Sequence, residues 1–157
     1  MTITLIVVGK TDSKHLDMLI NDYRKRLSFF VKFETVVIPD LKKRKNMETG
    51  LQKEKEGQLI LSKISPSDFV VLLDENGVEH TSTKFASWLQ KRMNSGLKNL
   101  VFVIGGPYGF SSEVYARGNQ NISLSKMTFS HQMIRLFFTE QLYRAFSILK
   151  NLPYHHE

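Results

Sequence analysis

The chain has no cysteine among its 157 residues. Disulfide bonds, thiolate catalysis and metal sites built on cysteine are therefore excluded. The five histidines are scattered apart from the pair His155 and His156, so a histidine metal site is not predicted either. No stretch approaches the ~20 apolar residues of a membrane span, and residues 1–9 lack the basic start and cleavage site of a signal peptide. We expect a soluble, cytoplasmic protein that binds no metal and no membrane.

Three common active-site signatures are also missing. The chain contains neither the G-x-S-x-G motif of serine hydrolases nor the G-x-x-x-x-G-K-[ST] motif of P-loop proteins. The glycines of residues 105–109 do not have the G-x-G-x-x-G spacing of a Rossmann fold. Pro107, among them, has no backbone N–H to offer a phosphate. These absences argue against both hydrolase classes and against an ordinary dinucleotide site.

The composition predicts one basic domain over residues 1–157. Hydrophobic residues make up 41% of the chain, which is enough for one core, but the length is too short for two ordinary α/β domains. Twenty-two lysines and arginines against fifteen acidic residues give a net charge of +7. Such an excess favours a polyanionic partner, nucleic acid among them.

Strand-like and helix-like segments alternate about five times. Strands are predicted over residues 2–8, 32–38, 69–73, 101–104 and 121–125, and helices over residues 14–29, 51–64, 111–117 and 131–150, with a further helix capped by Thr81, Ser82 or Thr83. This alternation predicts an α/β fold with a mostly parallel sheet and helices on both faces. Residues 41–50, with the basic run 42–45, are predicted to form a mobile loop that is either simply solvated or in contact with phosphate.

The apolar run 101–104 ends in a loop with three glycines, Gly105, Gly106 and Gly109. Because glycine has no Cβ, its backbone can lie close to a flat or anionic ligand. Ser111 is predicted to cap the following helix. Ligands of open α/β sheets bind outside the carboxyl ends of the strands, so we predict that this loop holds a ligand.

Two more loops are predicted to share that edge of the sheet. If their strands run parallel, the loops at residues 73–74, 105–106 and 124–129 emerge together and could surround one flat ligand, such as an adenine. On the residues alone, Asp74 is interpreted as a turn residue or helix cap, and Lys126 and Arg135 as surface charges. Arg144 is interpreted as an ion pair with Glu140, four residues earlier.

The last predicted helix is apolar on more than one face. A helix of this kind has two surfaces to cover, its own sheet and something else. We predict that the second surface packs against another copy of the chain, because an exposed apolar patch of that size is a liability on a monomer.

Four segments together resemble the ribosomal RNA large subunit methyltransferase H family: VFVIGG at residues 101–106 with Gly109, LSKMTF at 124–129 with His131, EQLYRA at 140–145, and PYH at 153–155. Each segment is weak by itself, but the combination is specific. The similarity extends from residues 8–10 through residues 55–58 to the tail. It covers essentially the whole chain.

The resemblance implies a SPOUT-class α/β fold with a C-terminal trefoil knot and a homodimer. It also implies S-adenosylmethionine-dependent methylation of N3 of a pseudouridine in 23S ribosomal RNA of the assembled ribosome. The cofactor pocket would then be formed by eight residues: Leu73, Gly105, Leu124, Ser125, Lys126, Met127, Thr128 and Phe129.

The tail also matches the family. This resemblance implies that Tyr154 and His155 lie near the active site, where both are catalytic candidates. His155 is expected to act as a base or RNA contact, or else to have a positional role only. His156 stands where family members commonly carry a basic residue. Two alternatives remain open: a non-catalytic RNA- or ribosome-binding protein on the same scaffold, and a nucleotide-dependent enzyme of another reaction class.

Overall fold

The computed structural model describes residues 1–41 and 46–156. The described residues form five strands and five helices in strict alternation: β1 Thr2–Val8, α1 Lys14–Leu27, β2 Lys32–Ile38, α2 Thr49–Leu61, β3 Phe69–Glu79, α3 Ser82–Asn94, β4 Asn99–Ile104, α4 Ser112–Arg117, β5 Gln120–Ser123 and α5 Met133–Leu149. The basic run at residues 42–45, predicted to be a mobile loop, lies outside the described residues. None of the described helices is long and apolar enough to cross a membrane.

The five strands form one sheet in the order β2-β1-β4-β3-β5, and every neighbouring pair is parallel. The predicted parallel α/β architecture is therefore confirmed. β4 lies in the middle of the sheet, and its residues after Asn99 are all buried, as expected for a strand covered on both faces. Because β4, β3 and β5 are neighbours, their carboxyl ends meet at one edge.

Two apolar layers cover the sheet. On one face α1, α3 and α5 pack together, with Phe102 of β4 against Phe138 of α5 at a ring separation of 4.6 Å. On the other face Ile60 of α2 and Val114 of α4 pack against Leu72 and its neighbours. Side-chain caps begin α1, α3 and α4; at α4, for example, Ser111 Oγ accepts from the Val114 N–H at 3.4 Å.

β3 differs from its predicted extent. We expected it to end at Leu73 in a loop, but the strand continues to Glu79 with a shift of register, so that Leu73 and Val78 both pair with Ile122 of β5. The close approach of β5 at this point requires a glycine. A Cβ at Gly77 would lie 2.6 Å from the Ile122 carbonyl carbon.

Candidate active site

A cavity of about 670 Å³ opens at the carboxyl ends of β3, β4 and β5. Its walls come from three stretches of chain, residues 73–76, residues 104–110 and most of residues 122–131, together with Tyr115 and Ile134. The parallel order of the three strands brings these stretches together although they are far apart in sequence. A cavity of this size can enclose a cofactor-sized ligand.

Seven of the eight residues predicted to hold a cofactor line this cavity: Leu73, Gly105, Leu124, Ser125, Met127, Thr128 and Phe129. Lys126, the eighth, is exposed and does not line it. The side chains of Ser123 and Ser125 shape this part of the wall. Ser123 Oγ donates to the Ser125 carbonyl at 2.8 Å, and Ser125 Oγ accepts from the Met127 N–H at 3.0 Å.

The glycine loop after β4 folds back on itself. The N–H of Gly109 donates to the Gly106 carbonyl at 3.1 Å, and Gly109 has a φ of 80°, a conformation that glycine adopts without strain. A Cβ at Gly106 would lie 2.6 Å from Glu56 Oε2, and Glu56 also accepts from the Gln52 amide at 3.0 Å. Glu56 is only 3% exposed, so a buried carboxylate lies directly behind the loop.

Asp74 and Glu75 form an acidic wall. Tyr115 donates its hydroxyl proton to Asp74, and Thr128 donates to Glu75 Oε2 at 2.8 Å. Asp74 Oδ1 also accepts from the Asn76 N–H at 2.8 Å, as a turn residue does. Burial, the bond to Asp74 and the charges of both carboxylates raise the pKa of Tyr115 to about 12. The phenol therefore stays neutral at physiological pH.

The negative charge of the cavity wall favours positively charged ligands over phosphate-bearing ones. Its described lining includes these two carboxylates and no lysine or arginine. A phosphate-bearing nucleotide would be repelled by such a wall, whereas a ligand with a positive centre is attracted. The residues present therefore fit a cationic methyl donor better than a dinucleotide.

Arg135 is not the surface charge that we predicted. It is 3% exposed, and it donates to the carbonyls of Val8 at 2.6 Å, Gly9 at 2.9 Å and His131 at 3.1 Å. Burial lowers its pKa. The spacing along the helix indicates that Arg135 is buried. It precedes Phe138 by three residues and Leu142 by seven, on the face of α5 that packs against the sheet.

The predicted tail residues lie elsewhere. The Tyr154 hydroxyl donates to Glu140 Oε1 at 2.9 Å and lies 3.0 Å from the Tyr23 hydroxyl. Arg144 Nη1 lies 3.3 Å from His155 Nδ1 and forms the predicted ion pair with Glu140. Burial and the bonds to Tyr23 and Glu140 raise the pKa of Tyr154.

Tyr154 and His155 thus pack along α1 and α5, and neither lines the cavity of its own chain. The sequence contains no local signal for this separation. It follows from the tertiary packing of the two helices.

A family model described as "Predicted SPOUT methyltransferase" matches residues 1–155. Three relatives match over essentially their whole length and are named Ribosomal RNA large subunit methyltransferase H. The protein of Christiangramia forsetii is 66% identical over 99% of both chains. Those of Flavobacterium psychrophilum and Parabacteroides distasonis are 63% and 57% identical over 100% of both. The resemblance inferred from the sequence is confirmed, and the chain belongs to the SPOUT methyltransferase family.

Proposed function

We propose that the protein transfers the methyl group of S-adenosylmethionine to N3 of a pseudouridine in 23S ribosomal RNA of the assembled ribosome. The family of the chain and the printed name of its relatives support methyl transfer to large-subunit ribosomal RNA. The observation that carries the proposal is the cavity at the ends of β3, β4 and β5, because its walls are acidic and contain seven of the eight predicted cofactor residues. Its acidic wall argues against the nucleotide-dependent alternative.

The chain offers complementary groups for the adenine ring and for the positive charges of S-adenosylmethionine. Leu73, Ile104 and Ile122 give an apolar surface for the adenine ring. Asp74 and Glu75 suit the positively charged sulfonium and ammonium groups of the cofactor. When bound, the cofactor supplies an electrophilic methyl group on a sulfonium. The residues of the cavity orient the ligand and exclude water from it, which should account for much of the acceleration.

The acceptor nitrogen N3 must lose its proton when it forms a bond to the methyl group. Tyr115 cannot take that proton, since its phenol already carries one and donates it to Asp74. His155 is the proposed base or RNA contact, with Tyr154 beside it. Because both lie outside the cavity of their own chain, a role at the reacting atoms requires the cavity of a second copy.

A homodimer is therefore part of the proposal. Met18 and Leu19 on α1 and Phe137 on α5 are exposed apolar residues on the side of the sheet where these helices pack together. Phe137 also contacts Phe129 of the cavity wall at a ring separation of 4.9 Å. An interface on this face would thus reach the cavity, and the net charge of +7 would favour binding to ribosomal RNA in the cytoplasm.

Calorimetry separates this proposal from a non-catalytic RNA-binding protein. The wild type should bind S-adenosylmethionine and S-adenosylhomocysteine, and NADH should not bind. Gly105→Val should abolish binding, because a Cβ there is already 3.1 Å from the Phe110 ring and the larger side chain would displace Phe110 and Gly109, which line the cavity. Gly50→Val is the matched control, since nothing lies within 4 Å of a Cβ at Gly50. No binding of either adenosyl ligand to the wild type would contradict the methyltransferase proposal.

A further inference from the structure

A second cavity, of about 490 Å³, adjoins the first. It opens at the carboxyl ends of β1 and β2, where Gly9, Lys10 and Asp40 contribute to its walls. The two cavities share Pro107, Tyr108 and His131 as lining residues. The two cavities are therefore neighbours, and ligands in them could meet at the border that these three residues form. Methyl transfer needs this kind of proximity, since the reacting atoms must approach to about 3–3.5 Å.

Internal hydrogen bonds hold the walls of the second cavity in place. Arg135 binds the carbonyls of Val8 and Gly9 from behind and the carbonyl of His131 from within α5. Gln132 Nε2 donates to the Lys10 carbonyl at 3.1 Å, and Gln132 Oε1 accepts from the Asp12 N–H at 3.2 Å. The end of β1 and the start of α5 are therefore fixed to one another. A site with walls fixed in this way loses little entropy when a ligand enters.

The side chains of the second cavity suit a neutral polar ring. Asp12 and Asp40 are its acidic groups among the described residues, and Lys10 is its lysine. The carboxylates could accept hydrogen bonds from ring N–H groups, and Lys10 together with the Arg135 guanidinium, which interacts with both carboxylates, offsets their charge. Tyr108 presents an aromatic side chain, 53% exposed, against which a flat ring can stack.

We propose that the second cavity receives the acceptor base, a uracil-type ring with a free N–H at ring position 1, and that the carboxylates of Asp12 and Asp40 read this N–H. The inference rests on the proposed function and adds the basis of its substrate choice. In pseudouridine the ribose is attached to carbon, so N1 carries a hydrogen. In uridine N1 carries the ribose and has no hydrogen to donate. A carboxylate facing N1 therefore distinguishes the two bases and leaves N3 for the methyl group.

The two carboxylates can be changed without changing their shape. The Asp12 carboxylate is exposed, and Gln132 contacts the Asp12 backbone rather than its side chain. A Cβ at Gly9 would lie 2.7 Å from Asp40 Oδ2, so Asp40 packs closely against the end of β1. Asp12→Asn, Asp40→Asn and the double variant keep this packing. Glu54→Gln, at an exposed position on α2, is the control for charge.

The test compares ribosomes that carry pseudouridine at the target position with ribosomes that carry uridine there. The wild type and Glu54→Gln should prefer pseudouridine. In the double variant kcat/KM on pseudouridine ribosomes should fall by about tenfold or more, as expected for loss of a hydrogen bond to a charged group. Its kcat/KM on uridine ribosomes and its affinity for S-adenosylmethionine should stay within about twofold of wild type. A double variant that keeps the full preference for pseudouridine would overturn the inference.

A binding measurement keeps the two proposals separate. Titration of the isotopically labelled protein with pseudouridine nucleoside should shift the amide signals of Gly9, Lys10 and Gln132, and uridine should shift them less. Shifts confined to the glycine loop and residues 124–129, or equal shifts with both nucleosides, would count against the second cavity. A protein that gives the expected shifts but binds no S-adenosylmethionine would contradict the proposed function and leave this base-binding site supported.

Discussion

At the scale of single residues, the site depends on two polar side chains whose environments change their chemistry. Burial and the carboxylates beside it raise the pKa of the Tyr115 phenol, and the Arg135 guanidinium is buried against backbone carbonyls. Seven of the residues predicted to hold the cofactor line the cavity, because six follow the ends of β4 and β5 and Leu73 of β3 pairs with Ile104, the last residue of β4. Arg135 differs from its prediction because its place in the helix period puts it on the buried face of α5, although a charged side chain is typical of a surface.

Replacing Arg135 should destabilise the fold. In Arg135→Met the carbonyls of Val8, Gly9 and His131 lose their donor, and the free energy of unfolding should fall by about 3 kcal/mol. Arg135→Lys should recover only part of this loss, because one ammonium cannot reproduce the fork of a guanidinium. Denaturant titration provides the measurement, with the exposed Lys126→Met as control. Equal stability of Arg135→Met and the control would refute the role given to these bonds.

Tyr115 should make stability depend on alkaline pH. Its folded pKa, about 12, lies above the usual tyrosine value of 10.0, so the folded state holds a proton that the unfolded state releases. The contribution of Tyr115 to the free energy of unfolding is therefore complete below pH 10, and it is lost as the pH rises from about 10 to about 12. The melting temperature should decline less steeply across this range in Tyr115→Phe than in the wild type, and the tyrosinate absorbance step near pH 12 should shrink. Identical pH profiles would contradict this assignment.

At the scale of elements, the strand ends and the glycine loop determine the shape of the cavity. β1 and β2 have the predicted bounds, Thr2–Val8 and Lys32–Ile38, because runs rich in β-branched residues favour strands locally. β3 does not have its predicted bounds. Residues 74–77 are typical of a turn, yet pairing with β5 keeps the chain extended as far as Glu79. A partner 45 or so residues away along the chain cannot be inferred from local propensity.

Gly77→Ala tests this contact between β3 and β5. The new methyl group would lie 2.6 Å from the backbone of Ile122, so β5 must move. We expect a loss of about 2 kcal/mol in the free energy of unfolding and weaker binding of S-adenosylmethionine, because Ile122 and Leu124 line the cavity. Gly50→Ala, with open space around its Cβ, should show neither effect. Unchanged cofactor affinity in Gly77→Ala would show that the contact between β3 and β5 does not shape the cofactor cavity.

At the scale of the whole molecule, one sheet with two helical layers explains the cavity of a single chain but not the role of the tail. The parallel α/β class follows from alternation along the chain, and the structure bears it out. The trefoil knot, implied by the resemblance alone, stays a prediction. So does the dimer, since periodicity shows that α5 is apolar on two faces without showing what covers the second.

Phe137→Glu should convert the proposed dimer into a monomer. Phe137 is 36% exposed on α5, and a carboxylate at this position would have to be buried in the interface. Sedimentation of the variant should give the mass of one chain, with methylation lost and S-adenosylmethionine still bound. Phe29→Glu is the control, because Phe29 is 86% exposed in the turn after α1. A dimeric, fully active Phe137→Glu would rule out this face as the interface.

The most direct measurement uses ribosomes from cells that lack this protein. They are incubated with the purified protein and S-adenosylmethionine, and the methylated nucleotides of 23S ribosomal RNA are then mapped by mass spectrometry. The proposed function predicts one added methyl group, on N3 of one pseudouridine, and no addition with Gly105→Val. A wild-type protein that binds S-adenosylmethionine but adds no methyl group to this RNA, or adds it to another atom, would contradict the account.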